Sequence, residues 1–365
     1  MTARPRVLIC NWRDTRNPEG GGSELYVEHV ARGLVDAGMD VTVFCAAHAA
    51  APADEVRGGI RFVRRGDKLQ VYVRAMLGLA LRRFGRVDAV VDVQNGLPFL
   101  TRLFTRAPVT VLVHHVHREQ WPVVYPGLVG RIGWWVESSL APWVYRRSQY
   151  VAVSYATRDE LAALGVDRER ITVVHNGSAP PPPVRATRST TPQICVVGRL
   201  VPHKQVEHAI DAVAELDVPG LRLVVVGDGW WSEELHAYAA QRGVADRVEF
   251  TGFLSEAEMH EVYAASWLMA LPSIKEGWGL VVGEAGTHAT PTVAYRDAGG
   301  TRESVDDGVS GVLVDDREEM LRVIDELLGD EERRERLGAG ALDRSRMFTW
   351  DQSRKEFATV VTNSL

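Results

Sequence analysis

The stretch "SAPPPPVRATRSTTP", residues 178–192, separates two series of short apolar segments in a chain of 365 residues. It is rich in proline and small polar residues and shows no strand or helix periodicity, so it predicts an extended linker. We place the linker at residues 179–191, between an N-terminal domain at 1–178 and a C-terminal domain at 192–349. The chain is long enough for two cores of ordinary size.

Short β-branched runs alternate with segments of helical periodicity on both sides of the linker. The runs before it are RVLICNW (6–12), DVTVFCA (40–46), IRFVRR (60–65), DAVVDVQ (88–94), VTVLVHH (109–115), YVAVSY (150–155) and ITVVHNG (171–177). The runs after it are QICVVGR (193–199), RLVVVGDG (222–229), RVEFTGF (247–253), WLMALPS (267–273), PTVAYR (291–296) and GVLVDD (311–316). Nearly continuous Val/Ile/Leu runs indicate parallel strands that are buried on both faces.

The predicted fold class is therefore α/β, with two Rossmann-like, doubly wound parallel-sheet domains. Helices such as SELYVEHVARGLVDAG (23–38), which starts at a serine that can cap and ends at a glycine that can stop, connect the strands. Two such domains would face each other across a cleft at the carboxyl ends of their strands, and ligands should bind there.

Composition limits the possible partners and the compartment. With 45% hydrophobic and 25% charged residues, the chain is typical of a globular protein, and its net charge of −6 gives no reason to expect nucleic acid as a partner. Cys10, Cys45 and Cys195 are too few and too scattered for a disulfide framework or a zinc site, which fits a reducing compartment. The N-terminal apolar run is too short for a signal peptide, so we expect a cytoplasmic protein.

A basic segment at residues 64–86, RRGDKLQVYVRAMLGLALRRFGR, is predicted as an amphipathic helix. Such a helix could lie on the inner face of an anionic membrane. It could equally be an inter-strand helix with an arginine-rich solvent face, and the sequence leaves both interpretations open.

The glycine-rich stretch NPEGGGSE, residues 17–24, lies between the first strand and the first helix. Gly21 and Gly22 would let the backbone approach a ligand closely, and the following helix offers free N–H groups that suit phosphate or sugar oxygens. A tight turn is the alternative, since such turns are common in doubly wound folds. The full G-x-G-x-x-G spacing is missing, which argues against a dinucleotide enzyme.

Three histidines follow the strand VTVLV. His114, His115 and His117 lie at its carboxyl end, where the ligand cleft is expected. No further ligand with tetrahedral spacing is evident, so the sequence predicts no metal site. At least one of these histidines faces the substrate, or they are structural residues with satisfied hydrogen bonds.

Two basic residues follow the first strand after the linker, in VVGRLVPHKQVEHAI (196–210). The strand ends at Gly198, Arg199 lies in the loop, and Lys204 stands just before a helix. A planar guanidinium and a mobile ammonium together suit a diphosphate that gains negative charge as a bond to it breaks. Only four of the 42 basic residues are lysines, so a lysine here is unlike an ordinary solvated charge of this chain.

Two carboxylates lie close together in SIKEGWGLVVGEAGTHA, residues 273–289. We predict a loop up to Gly279 and a helix over LVVGEAGTHA, whose first amides can hold phosphate. Glu284 lies among small apolar residues of that helix and can bind a ribose through its vicinal hydroxyls. Glu276, in the loop, can bind a sugar.

In this order, the motifs resemble those of the retaining nucleotide-sugar glycosyltransferases of family 4, which have the GT-B architecture. Glu276 and Glu284 match the E-x7-E motif of that family in EGWGLVVGE. GGGSE, the strand-end histidine, GRLVPHKQ and HNGS (175–178) support the resemblance, which covers nearly the whole chain.

The resemblance implies roles for individual residues. Arg199 and Lys204 look like the pair that binds the donor diphosphate, Glu284 like the ribose ligand, and Glu276 like the carboxylate that faces the transferred sugar. His114 would lie beside that sugar, although the adjacent His115 leaves the register open. The other implied donor-binding positions are Gly21, Gly22, Gly198, Gly252, Phe253, Leu254, Gly277, Trp278, Gly279, Leu280 and Val281. Among them, residues 279–281 would offer backbone amides, 252–254 would line the base, and Trp278 would shape the sugar pocket.

The resemblance also implies a reaction. A sugar would move from a UDP- or GDP-linked donor to an acceptor hydroxyl of a glycan, a lipid-linked sugar or a small molecule. The leaving phosphate would accept the proton on the same face, which gives retention. No cofactor and no metal would be required. A C-terminal helix at 350–365 would cross back onto the N-terminal domain.

Two other classes of function compete with this interpretation. A nucleotide-dependent epimerase or oxidoreductase also uses Rossmann-like domains, and it should be protected from unfolding by a nicotinamide cofactor. A non-catalytic sugar-nucleotide-binding subunit would bind without turnover.

Overall fold

The computed structural model describes residues 4–365, which fold into two compact units. Unit 1 contains the residues up to Asn176 together with Trp350–Leu365, and unit 2 contains Gly177–Thr349. Each unit is built on one predominantly parallel sheet, so the predicted α/β fold class is confirmed. Within residues 4–365, no helix is both long enough and apolar enough to cross a bilayer.

Unit 1 has an eight-stranded sheet in the order β3-β4-β2-β1-β5-β6-β7-β8. Its strands are β1 Arg6–Cys10, β2 Asp40–Cys45, β3 Asp54–Arg57, β4 Ile60–Arg64, β5 Ala89–Gln94, β6 Val109–Val113, β7 Gln149–Ala152 and β8 Ile171–Val173. Its first helices are α1 Gly22–Asp36, α2 Gln70–Ala80, α3 Gln120–Val124, α4 Leu128–Trp135, α5 Ala141–Val144 and α6 Tyr155–Ala163. All pairs of neighbouring strands are parallel except β3 with β4.

The edge strand β3 is an element that the sequence analysis missed. Its sequence DEVR carries no apolar alternation, because the strand is partly exposed. Gly58 and Gly59 connect it to β4, and both have positive φ angles, +58° and +82°. Two consecutive residues with positive φ form the tight turn of an antiparallel hairpin, so this glycine pair was the available signal.

Two helix predictions in unit 1 need correction. The helix predicted over 64–86 is only α2, because Arg64 ends β4 and a positive φ of 53° at Arg82 stops helical geometry. The guanidinium of Arg64 is buried against the carboxylates of Asp14 and Glu55 rather than exposed. The helix α1 is not capped by Ser23, because it begins one residue earlier with Gly21 at the cap position.

Unit 2 has a six-stranded parallel sheet in the order β11-β10-β9-β12-β13-β14. The strands are β9 Gln193–Val197, β10 Arg222–Val226, β11 Val248–Gly252, β12 Leu268–Leu271, β13 Thr292–Tyr295 and β14 Gly311–Val314. The helices are α7 Glu207–Glu215, α8 Ser232–Gln241, α9 Glu256–Ala265, α10 Leu280–Gly286, α11 Thr301–Ser304, α12 Arg317–Gly329 and α13 Glu331–Met347. Apolar side chains fill both faces of the sheet, as the continuous Val/Leu runs predict.

The proline-rich segment is attached to unit 2 along part of its length. The backbone N–H groups of Arg185 and Ala186 donate to the carboxylate of Glu261 on α9, and Ser189 N–H donates to the carbonyl of Ala265. The guanidinium of Arg188 donates to Thr290 Oγ1 at 2.8 Å and to several backbone carbonyls. Side-chain and backbone hydrogen bonds therefore hold a segment that has no apolar periodicity.

The last helix, α14 Trp350–Thr362, belongs to unit 1. It packs closely on α1, where a Cβ atom added to Gly33 would lie 2.7 Å from the Cβ of Arg354. The rings of Trp350 and His29 stack at 3.9 Å, and Phe357 is fully buried. Unit 1 is therefore assembled from both ends of the chain.

Candidate functional site

The main cluster of predicted site residues lies at the carboxyl ends of the strands of unit 2, at the topological switch point, where the strand order changes direction. The strands β9 and β12 are neighbours there, and the chain runs outward from β9 through β10 to β11 and from β12 through β13 to β14. Loops that follow such a pair of strands diverge and leave room for a ligand. Lys204 ends a short 3₁₀ turn after β9, and Glu276 lies in the loop after β12.

Lys204 and Glu276 form an ion pair between these two loops. The Lys204 Nζ atom lies 2.5 Å from Glu276 Oε1, with 22% and 11% of the side chains exposed. The N–H of Ile274 donates to the carbonyl of His203 at 2.9 Å and joins the same two loops. The partly buried pair places a mobile ammonium and a carboxylate next to each other at the switch point.

Two glycines that the sequence analysis did not single out support the Glu276 loop from below. A Cβ atom on Gly300 would lie 2.0 Å from the carbonyl oxygen of Gly277, and one on Gly299 would lie 2.8 Å from that of Glu276. The N–H groups of Glu276 and Gly300 complete the contact by hydrogen bonds to Ala298 and Glu276. The dipeptide Gly-Gly shortly after β13 was the signal in the sequence, since close backbone approach requires the absence of a side chain.

Arg199 is the exposed member of the predicted diphosphate pair. It follows Gly198 at the end of β9, and within residues 4–365 its guanidinium forms no ion pair. The backbone of Gly198, just before Arg199, packs closely on the loop after β10. A Cβ atom added to Gly227 in that loop would lie 2.0 Å from the carbonyl oxygen of Gly198. Arg199 and Lys204 therefore share one loop, but only Lys204 is held by a partner.

Glu284 lies on α10 and accepts a hydrogen bond from the hydroxyl of Tyr263 at 3.0 Å. Burial raises the pKa of the Glu284 carboxyl, and the hydrogen bond from Tyr263 opposes that shift. The preceding residue, Gly283, packs against Ser178. A Cβ atom added to Gly283 would lie 2.1 Å from Ser178 Oγ, so the contact requires a glycine there. The phenol of Tyr263, which the sequence analysis did not identify, positions this carboxylate.

The helix α10 has seven residues, Leu280–Gly286, and is shorter than the predicted stretch of ten. It ends early because Ala289 takes a positive φ of 53°. In the described part of the chain, the N–H groups of Leu280 and Val281 have no acceptor, as is usual in a first helical turn. Gly279 precedes them with φ of +87°, a conformation that glycine adopts without strain.

The remaining predicted donor positions differ in exposure. The ring of Trp278 is 5% exposed and packs edge-to-face on Phe348 at 4.8 Å, so it anchors its loop in the interior of unit 2. Gly252 ends β11 with φ of +68°, Phe253 after it is 67% exposed, and Leu254 packs against the core. An exposed phenyl ring at a strand end is available for stacking on a flat ligand.

His114 is the buried histidine at the end of β6 in unit 1. Its Nε2 atom has no hydrogen-bond partner in the described residues, and Tyr26 packs edge-on against its ring at 5.3 Å. Burial lowers the pKa of His114 to about 3, so the imidazole is neutral at physiological pH. By contrast, His115 Nε2 is within hydrogen-bonding distance of Gln120 Oε1, at 3.1 Å.

A second buried group in unit 1 escaped the sequence analysis. The carboxylate of Glu137 lies 3.0 Å from His117 Nδ1, and it accepts the indole N–H of Trp121 at 2.6 Å. Glu137 is carried by a π-helical turn, Val136–Leu140, between α4 and α5. Such turns often occur at functional sites, but a single carboxylate in a helical segment gives no pattern from which to predict one.

The glycine-rich turn of unit 1 is open at the amino end of α1. Gly21 and Gly22 are exposed, and the side chain of Glu24 accepts the N–H of Gly21 at 2.8 Å. Because Gly21 and Gly22 have no side chains, nothing at these two positions covers the first backbone amides of α1. Across residues 4–365, no group of three or more His, Cys, Asp or Glu side chains is arranged to hold a metal ion.

Two sequence profiles and several curated relatives match the chain. The profile described as Glycosyltransferase Family 4 matches residues 20–178, and the profile described as Glycosyl transferases group 1 matches residues 182–344. A D-inositol 3-phosphate glycosyltransferase from Xylanimonas cellulosilytica is 31% identical over 395 residues, which cover 92% of this chain and 90% of that protein.

Solved glycosyltransferase structures share the fold. Sucrose-phosphate synthase from Thermosynechococcus elongatus superposes with a TM-score of 0.84 at 17% identity and covers 99% of both chains. HepE from Anabaena in complex with UDP and glucose superposes with a TM-score of 0.77 at 19% identity, over 99% of this chain and 100% of that chain.

Proposed function

This chain belongs to the family 4 glycosyltransferases, and from that premise we propose that it transfers a sugar from a nucleoside-diphosphate sugar to an acceptor hydroxyl with retention of configuration. The donor would bind to unit 2 through Lys204, Arg199 and Glu284. UDP is our first choice of nucleotide, because HepE of the same fold is described with UDP.

The observation that carries the proposal is the Lys204–Glu276 ion pair at the switch point of unit 2. As the bond between sugar and phosphate lengthens, negative charge develops on the diphosphate and positive charge on the sugar ring. The Lys204 ammonium has three donors, so it can keep one on Glu276 while it binds phosphate oxygens. The Glu276 carboxylate would then lie where a positively charged sugar ring is stabilised.

The neighbouring groups complete a donor site. Arg199 is exposed and has no competing carboxylate in the described residues, so its planar fork is available for phosphate oxygens. Leu280 and Val281 offer amides, and Glu284, positioned by Tyr263, would accept the ribose hydroxyls. In unit 1, the neutral His114 would gain the missing partner of its Nε2 atom from a hydroxyl of the acceptor.

The reaction would need no metal and no cofactor. The charge of the leaving diphosphate would be balanced by Lys204, Arg199 and backbone amides, which is the work that a divalent cation does in other phosphate sites. The departing phosphate would take the proton of the attacking hydroxyl on the same face of the sugar. Addition of EDTA should therefore leave the rate of transfer unchanged.

A thermal-shift screen with UDP, GDP, dTDP and NAD tests the donor class. UDP or GDP should raise the melting temperature of the wild type, and both Lys204→Ala and Glu284→Ala should lose that shift. A shift with NAD and none with the nucleoside diphosphates would point to the epimerase or oxidoreductase class. A full UDP shift in both variants would refute the site.

Transfer itself is tested with the best nucleotide sugar and a panel of hydroxyl acceptors. The panel should include D-inositol 3-phosphate, because that compound appears in the names of relatives that match 92% of this chain. NMR of the product should show the same anomeric configuration as the donor. Binding of the donor without transfer to any acceptor would favour a non-catalytic subunit, and an inverted product would exclude retention.

A further inference from the structure

Unit 1 contains a large groove between α2 and the outer strands of its sheet. The groove has a volume of about 1020 Å³, at the upper end of the pocket sizes that hold small molecules. Its floor is formed by strand residues, among them Leu8, Thr42, Phe44 and Val63, and its walls include Val56, Val73 and Leu77.

The groove exists because α2 covers only part of this sheet face. Val71, Ala75 and Leu79 of α2 pack into the core beside β1 and β5. The outer strands β2, β4 and β3 are left without a helix above them, so Thr42 and Val63 remain only half-buried. A parallel sheet normally has both faces covered, and an open face of this size is therefore unusual.

The free side of α2 presents an apolar stripe. Leu69 just before the helix, Val73 and Leu77 within it, and Leu81 just after it follow one another at intervals of four residues. They are 72%, 55%, 48% and 58% exposed, and Val56 on the opposite wall is 73% exposed. Residues spaced by four lie on one helix face, and such a continuous exposed apolar surface marks a binding site.

Arginines surround the same groove. Six of them line it, against two carboxylates, Asp40 and Asp54: Arg6, Arg61, Arg65, Arg74, Arg83 and Arg86. Arg61 and Arg65 share Asp54 as their partner, and Arg86 pairs with Asp88. The other three, Arg6, Arg74 and Arg83, form no ion pair within residues 4–365.

We propose that this groove and the apolar stripe beside it bind an anionic phospholipid at a membrane surface. The arginines would hold the phosphate headgroup, and the aliphatic wall would receive part of an acyl chain. The excess of positive charge favours an anion, and the exposed aliphatic side chains favour an amphiphile over a nucleotide or a nucleic acid, whose contacts are polar. The arginines cluster here although the chain as a whole carries a net charge of −6.

The lipid site is independent of the proposed donor site. None of the residues that line the groove is a proposed donor, sugar or acceptor ligand. Failure of the lipid experiment would therefore leave the transferase proposal untouched, and loss of transfer in a donor-site variant would not affect lipid binding.

Vesicle flotation with the full chain tests the proposal. The wild type should float with vesicles of phosphatidylcholine mixed with phosphatidylglycerol and should stay behind with phosphatidylcholine alone. The triple variant Arg6→Gln, Arg74→Gln and Arg83→Gln removes three unpaired cations, and its partition onto anionic vesicles should fall about 100-fold. The far-UV circular dichroism spectrum and the melting temperature should match those of the wild type, which shows that the variant is folded.

A charge-matched control separates a built site from general attraction. The variant Arg106→Gln, Arg147→Gln and Arg222→Gln removes the same number of charges from exposed positions outside the groove. It should float like the wild type. Equal losses in both triple variants would overturn the proposal, as would failure of the wild type to float with anionic vesicles.

The apolar stripe has its own variant. Val73→Ser with Leu77→Ser keeps every charge and changes only exposed side chains, so the protein should fold normally and float at least tenfold less well. Unchanged flotation of this variant, together with release of the wild type by millimolar inorganic phosphate, would identify a free-anion site and overturn the lipid assignment.

Discussion

Lys204 is the residue whose removal should separate diphosphate recognition from nucleoside recognition. The substitution Lys204→Met keeps the length of the side chain and removes its charge. We expect about 10- to 100-fold weaker binding of UDP, because a hydrogen bond to a charged group is lost, while the affinity for uridine stays the same. Isothermal titration measures both affinities.

A matched lysine serves as the control for that substitution. Lys355 is exposed on α14 of unit 1, and Lys355→Met should bind UDP like the wild type. If Lys204→Met retained wild-type affinity for UDP, the ion pair with Glu276 would be a structural link between two loops and nothing more.

His114 should make unit 1 sensitive to acid. Burial lowers its pKa from 6.5 to about 3, so the unfolded chain binds a proton there at a higher pH than the folded chain. The contribution of the neutral His114 to the free energy of unfolding is therefore fully present above pH 6.5 and is lost as the pH falls towards 3. Between pH 7.5 and pH 5 the loss is about 2 kcal/mol, or roughly 4–8 °C in melting temperature.

The variant His114→Asn isolates this contribution. Its melting temperature should fall less than that of the wild type between pH 7.5 and pH 5, and the difference should approach the figure above. Parallel curves for the two proteins would mean that a bound water or a movement of the ring accommodates the protonated imidazole.

At the level of elements, the close packing of the loop after β13 under the Glu276 loop should be essential. In Gly300→Ala, the new methyl group would lie 2.0 Å from the carbonyl of Gly277, so one loop must move. We expect a loss of about 1–3 kcal/mol in stability and weaker binding of UDP. Chemical denaturation and titration calorimetry report the two effects.

Gly329 provides the matched substitution for that test. It ends α12, and an added Cβ would meet no atom within 4 Å. Gly329→Ala should therefore be neutral or stabilising by up to about 1 kcal/mol. Equal effects of the two substitutions would show that the contact between the loops does not position Glu276.

The strands could be predicted from the sequence, whereas several elements between them could not. Runs of β-branched residues predict buried parallel strands. Residues that follow neighbouring parallel strands, such as Lys204 and Glu276, come together at the carboxyl ends of those strands. The edge strand β3 has no such pattern because it is partly exposed. Glu137 and Tyr263 were missed because their partners come from tertiary contacts that no local spacing encodes.

At the scale of the whole molecule, Arg188 should stabilise the proline-rich segment on unit 2 without affecting unit 1. Its guanidinium donates to Thr290 and to the carbonyls of His288 and Ala289. In Arg188→Ala, amide exchange of the segment 179–191 should be about tenfold faster, which corresponds to the loss of one or two hydrogen bonds. Hydrogen exchange with mass spectrometry resolves this segment.

The same measurement contains its control. Peptides from unit 1 should exchange at wild-type rates, and Arg185→Ala, which leaves the backbone contacts with Glu261 in place, should change little. Unchanged exchange of 179–191 in Arg188→Ala would mean that the Glu261 contacts alone hold the segment.

The return of the final helix to the first domain has a consequence for synthesis on the ribosome. Translation adds about 5–20 residues per second, so all of unit 2 emerges during an interval on the order of ten seconds or more before Trp350 is made. Throughout that time the nascent first domain exposes the surface of α1 on which α14 later packs, and Phe357 and Val361 of α14 are buried only afterwards. A newborn chain is therefore most vulnerable to aggregation just before release, and premature termination near residue 349 would deprive the first domain, rather than the second, of its covering helix.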